Sequence, residues 1–97
     1  MTLETKPWNV QDHLQTPEEC ALFLEAVLAE AGDDPTFIAK AIGDLARARG
    51  MAQTARSAGI TREGLYKALS EKGNPSFGTV VKVLSALGLR LHVELAE

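Results

Sequence analysis

Three times along the chain a side chain able to accept an amide hydrogen bond stands directly before a proline, at Thr16-Pro17, Asp34-Pro35 and Asn74-Pro75. Proline has no amide to lose at the first position of a helix, and the residue before it can cap the next free N–H groups, so each pair predicts a helix start. The first start is the fullest, because Glu19 follows Thr16 by three residues and completes a reciprocal capping box. Glycines then fall where such helices should stop, at Gly32, Gly50 and Gly88, with Gly59 splitting a shorter stretch. A chain punctuated in this way can hardly be anything but a set of short helices.

The apolar residues agree. Ala21, Leu24, Val27, Leu28 and Ala31 recur at helical spacing up to Gly32, which is expected to supply a left-handed stop. Ile38, Ala41, Ile42, Leu45 and Ala48 make a second stripe ending at Gly50. The two helices are joined by so few residues that they should pack as antiparallel neighbours. Two brief helices follow, about 52–58 and 62–70, split by Gly59-Ile60-Thr61, with Thr61 capping the second. Asn74-Pro75 is expected to open a further helix with Phe77, Val80, Val81, Leu84 and Leu87 on one face. Residues 89–95 alternate strictly, Leu-Arg-Leu-His-Val-Glu-Leu, the pattern of a strand with one buried face. A lone strand leaves its amides unpaired, so this one must find the N-terminal arm or the same strand of a second subunit. Residues 1–15 show no strong period and read as that arm, with one helical turn over 10–14 behind an Asn9 cap.

At 97 residues the chain has room for one core, and 45% hydrophobic with 24% charged residues is an ordinary globular balance. Abundant Ala and Leu with few aromatic residues favour a tightly packed helical core over a β-sandwich. A single cysteine, Cys20, closes no intrachain disulfide, which fits a reducing, cytoplasmic setting. The N-terminus lacks the apolar stretch of a signal peptide, and no run approaches the roughly 18 apolar residues of a membrane span.

Candidate chemistry is sparse. His13 and His92 have no second ligand at metal-binding spacing, Cys20 has no base to activate it, and Asp33 and Asp34 are accounted for by the helix junction. The glycines form no phosphate-cradling cluster. An enzyme, a cofactor and a small-molecule substrate are therefore not expected. Trp8 reads as a core-sealing residue or as an anchor for a partner protein.

The short-helix pair is the informative feature. A helix-turn-helix needs a small residue where its helices cross, a turn residue tolerant of a left-handed backbone, and a second helix with a cap and apolar inward positions. Ala55, Gly59, Ile60, Thr61, Leu65 and Leu69 fill those roles. With Leu65, Ala68 and Leu69 turned inward, Glu63, Tyr66, Lys67 and Ser70 face out, with Arg62 at the N-terminal edge. Such a face suits a DNA major groove: Arg62 or Lys67 donating to guanine, Glu63 accepting from cytosine, Tyr66 on phosphate or a thymine methyl. Gln53 on the preceding helix reads equally well as a phosphate contact or as simple exposure, and Arg47, Arg49 and Arg56 as phosphate contacts or plain surface charge. Alone, a row of charges is more often a solvated helix face. Gly64 weakens this helix, and a close approach to DNA or to helix 52–58 would account for it.

The runs Ala58-Gly59-Ile60-Thr61-Arg62-Glu63-Gly64-Leu65-Tyr66-Lys67-Ala68-Leu69-Ser70 and Gly73-Asn74-Pro75-Ser76-Phe77, with residues 46–53 and 87–91, the Lys6-Pro7-Trp8 start and the Thr16-Pro17-Glu18 entry, resemble the addiction-module antidote proteins. These are HigA-like antitoxins of the lambda-repressor-like helix-turn-helix group. The resemblance implies an all-α bundle of five to six helices, here with a short C-terminal β-strand, and a homodimer. It also implies binding of operator DNA through Gln53, Arg56, Thr61, Arg62, Glu63, Tyr66, Lys67 and Ser70, and neutralisation of a small basic RelE/ParE-like toxin encoded alongside. Its alternatives are a stand-alone repressor without a toxin and a toxin-binding module with little DNA binding. The chain departs from the family pattern at Ala52 and Thr54, where a polar cap and an aliphatic core residue are expected.

The net charge of −3 speaks at face value against nucleic acid, but it is unevenly spread. Residues 1–39 carry one Lys against eight acids, net −7, whereas residues 40–72 carry seven bases against three acids, net +4, and residues 73–97 balance. The basic block coincides with the helix pair.

Overall fold

The computed structural model describes residues 14–70 and 72–96, and among them the regular structure is five helices: α1 (Pro17–Ala31), α2 (Pro35–Arg49), α3 (Met51–Ala58), α4 (Arg62–Ala68) and α5 (Phe77–Ala86). Residues 1–13 of the expected arm over 1–15, with the Asn9 cap, Trp8 and His13, lie outside the described residues.

Both early helix starts form as their residues dictate. Thr16 Oγ1 accepts from the Glu19 amide at 3.1 Å while Glu19 Oε1 accepts from the Thr16 amide at 3.1 Å, a complete capping box. At α2 the Asp34 carboxylate accepts from the amides of Thr36 and Phe37. The third start is displaced. Ser76, not Asn74, caps α5, its hydroxyl accepting from the Thr79 amide at 3.1 Å, so the helix begins at Phe77. The stop after α1 also differs from expectation: Gly32 is right-handed at φ −64°, and the chain leaves through a turn in which the Asp34 amide donates to the Ala31 carbonyl.

α3 lies at the centre, packed against α2, α4 and α5, while α1 packs on α2. Leu14, Cys20, Ile42, Leu45, Leu65, Val83 and Leu87 form the fully enclosed heart of the core. Leu14, at the end of the expected arm, belongs to it, and its carbonyl accepts from the Cys20 thiol at 3.9 Å. On α1 the buried side is Cys20 and Leu24, with Phe23 and Val27 half-buried, so Ala21 and Leu28 from the expected stripe are exposed. On α5, Val80, Val83, Leu84 and Leu87 turn inward, whereas Phe77 and Val81 point to solvent.

No strand is present among the described residues. The expected strand over 89–95 is irregular, its Leu91, Val93 and Leu95 side chains are exposed, and beyond Leu89 none of its amides meets a backbone carbonyl among the described residues. Alternation alone makes no strand, because the ladder hydrogen bonds need a second edge.

Candidate nucleic-acid interface

The α3–α4 unit is fixed from both ends. α2 and α3 meet at one residue, Gly50, whose φ of 100° turns the chain sharply between them. α3 starts without a side-chain cap, as Ala52 led one to expect, yet all eight of its residues are helical. Thr54 is buried at 2% exposure, and the helix is intact around it.

The turn between α3 and α4 follows from Gly59. Its φ of 74° is left-handed, a conformation that a Cβ makes costly, and it lets two amides fold back on the end of α3. The Ile60 amide donates to the Ala55 carbonyl at 3.0 Å and the Gly59 amide to the Arg56 carbonyl at 3.2 Å, the paired bonds of a Schellman end. Ile60 then packs half-buried against the core, which is the apolar contact such an end usually carries. Thr61 caps α4 immediately afterwards, its hydroxyl accepting from the Gly64 amide at 2.9 Å. This contact also accounts for Gly64. A Cβ built there would stand 2.9 Å from the Thr61 hydroxyl oxygen, so the close neighbour is the cap of the same helix and not α3.

α4 has two unlike sides. Leu65 at 0% exposure and Leu69 at 3% fasten it to the core, with Ala68 half-buried beside them. Arg62, Glu63 and Lys67 are exposed on the other side, and Tyr66 is 42% exposed. The Arg62 guanidinium lies over the Tyr66 ring, 5.5 Å from its centroid, so the two share one patch and steady each other. Ser70 lies just past the end of α4, exposed, its hydroxyl donating to the Lys67 carbonyl at 2.9 Å. Gln53 and Arg56 are exposed on α3, and Thr61 sits exposed at the joint. The eight residues singled out from the sequence therefore all lie on the α3–α4 unit with their side chains open to solvent. Ser57 on α3 and Lys72 after α4 are exposed there too. Lys72 was visible only as part of the positive count over 40–72.

The other arginines differ. Arg47 pairs with Asp44 at 3.5 Å, and Lys40 approaches the same half-buried carboxylate at 3.7 Å, a solvent-accessible triad of small energetic weight. Arg49 is half-buried, and its Nη1 is enclosed without a hydrogen-bond acceptor. No group of three or more His, Cys, Asp or Glu among the described residues is arranged to hold a metal ion, and no described helix is long and apolar enough to cross a membrane.

Comparison with known proteins places the chain. A protein of Haemophilus influenzae, named only as uncharacterized, is 52% identical over 94 residues, covering 97% of this chain and 95% of its own. No solved structure gives a significant match. The family model described as "Probable addiction module antidote protein" matches residues 4–95. Because that match takes in all five helices, the α3–α4 unit and nearly all of the tail, the chain belongs to the family of probable addiction module antidote proteins.

Proposed function

We propose that this chain is the DNA-binding antitoxin of a type II toxin–antitoxin module: a homodimer with a lambda-repressor-like, HigA-like helix-turn-helix that neutralises a RelE/ParE-like toxin and represses its own operon in the cytoplasm. Family membership supports the antidote role, a toxin as its partner and a regulatory, non-enzymatic protein. The observation that carries the DNA reading is α4 itself, fastened by Leu65 and Leu69 while Arg62, Glu63, Tyr66 and Lys67 stand clear of the protein. Held in a major groove, Arg62 or Lys67 donates to guanine O6 and N7, Glu63 accepts from a cytosine amino group, and Tyr66 meets a phosphate or a thymine methyl. Gln53, Arg56, Thr61 and Ser70 flank these contacts and position the helix against phosphates. Two copies related by a two-fold axis would place their α4 helices about 34 Å apart, one turn of B-DNA.

Fluorescence titration of DNA from upstream of the gene tests this. Tight binding that weakens steeply with salt is expected, together with its loss in the Arg62→Ala plus Lys67→Ala double variant. A double variant that binds like the parent would overturn the assignment of these residues.

A second reading, a toxin-binding module with little DNA binding, is favoured by one observation. α1 and the turn after it expose Glu18, Glu25, Glu30 and Asp33, an acidic surface suited to a basic toxin. Co-purification with the product of a neighbouring small basic reading frame tests it, with Glu25→Lys plus Glu30→Lys expected to weaken the complex. Absence of any such reading frame beside the gene would leave the stand-alone repressor.

A further inference from the structure

The tail beyond α5 carries a pattern that is complementary to a copy of itself. Gly88, at φ 83°, ends α5 with the same paired bonds as Gly59: the Leu89 amide donates to the Leu84 carbonyl at 2.8 Å and the Gly88 amide to the Ser85 carbonyl at 3.0 Å. Leu89 is thereby held half-buried on the core, and the tail leaves the domain from a defined point. Past it, Leu91 is 50% exposed, Val93 89% and Leu95 87%, a large apolar exposure for three residues in sequence alternation.

Centred on His92, the segment is complementary to its own reverse. Laid antiparallel against a second copy, Leu89 faces Leu95, Leu91 faces Val93, His92 faces His92, and Arg90 faces Glu94 in both halves. Apolar residues then meet on one side of the ribbon, and two opposite-charge pairs form on the other. A shift of one residue would set Leu and Val against charged residues and undo both matches. A parallel pairing would set Arg90 against Arg90 and Glu94 against Glu94.

A two-stranded ribbon is marginal in water by itself and needs an apolar floor. The fold provides one. A groove of about 410 Å³ runs between the tail and α1, lined on the helix side by Ala21, Leu24, Leu28 and Ala29 beside Glu25, with Leu84 at its base, and on the tail side by Leu89, Arg90, Leu91, His92 and Glu94. Leu28 is 44% exposed there.

We propose that residues 89–95 pair with the same residues of a second copy as a two-stranded antiparallel ribbon centred on His92, lying alongside the groove against α1. The occupant of the groove is thus a second copy of this chain, chosen by the Arg90–Glu94 complementarity. This deepens the dimer in the proposed function but is independent of DNA contact.

Sedimentation velocity on the full chain over a dilution series, without DNA, tests it. A dimer is expected. Glu94→Arg alone or Arg90→Glu alone turns two attractive pairs into two repulsive ones and should raise the dimer dissociation constant about tenfold or more. Combining both substitutions restores every pair and should bring the constant back to that of the parent. Each side chain is exposed, so the helical circular dichroism signal should be unchanged in all three variants. His92→Cys should give a disulfide-linked dimer under mild oxidation, with the fully buried Cys20 as a silent background. A monomer at every concentration would overturn the proposal, whether the tail pairs within its own chain or waits for a toxin. So would a dimer indifferent to both single reversals, or a double variant no tighter than the singles. A dimer that ignores operator DNA would count against the DNA reading alone, and a monomer that binds it would count against this ribbon alone.

Discussion

Leu65 and Arg62 stand three positions apart on the same short helix and should behave as opposites. Leu65 is fully buried, so Leu65→Ala leaves a cavity that costs about 2–5 kcal/mol, read as an earlier midpoint in chemical denaturation. Arg62 is exposed, and Arg62→Ala should change stability by no more than about 0.5 kcal/mol while acting on DNA affinity. Arg49 is the less usual residue. Its enclosed Nη1 has no acceptor, and an unsatisfied buried donor forfeits its hydration without return. Arg49→Met keeps an unbranched apolar stem and removes that donor, so the variant should denature at an equal or higher midpoint. A loss of more than about 1 kcal/mol would mean that the guanidinium is satisfied in solution.

Among the elements, the turn residues decide more than the helix interiors. Gly59 holds a left-handed backbone that lets Ile60 and Gly59 close the end of α3 and hands the chain to the Thr61 cap. Nothing lies within 4 Å of a Cβ built at Gly59, so the cost of Gly59→Ala is conformational, about 1 kcal/mol, and thermal denaturation should show it without loss of the folded core. These turn positions were legible because a left-handed residue and a cap leave chemical marks in the sequence. Gly32 and Asn74 show where such marks mislead. After α1 the Asp34 amide closes a right-handed turn on Ala31, and before α5 the Ser76 hydroxyl, two residues beyond Asn74, caps the helix. In both cases the residue that decides lies two positions further along the chain.

For the whole molecule, Cys20 is a natural reporter. It is fully buried between α1 and the core, so a thiol reagent should react with it only when the domain opens. Its labelling rate in increasing denaturant should follow the loss of helical signal in one transition, as a single core implies. Rapid labelling of the native protein would mean that α1 detaches separately. The acidic α1 and the basic α3–α4 unit belong to this one small body, so the net charge of −3 describes neither surface.

The sequence by itself determined the order of the helices, the caps at Thr16, Asp34 and Thr61, the helix ends at Gly50 and Gly88, the left-handed turn at Gly59, and the solvent-facing row from Arg62 to Ser70. These follow from hydrogen bonds and backbone sterics that act over a few residues. Only the tertiary structure decided which edge of each apolar stripe is covered, leaving Leu28, Phe77 and Val81 in solvent while Val83 and Leu14 are enclosed. It also decided that the alternating tail finds no strand partner among the described residues. A helix's own period shows that it is amphipathic, but burial depends on the neighbour that arrives, and a strand exists only when another edge completes its hydrogen bonds.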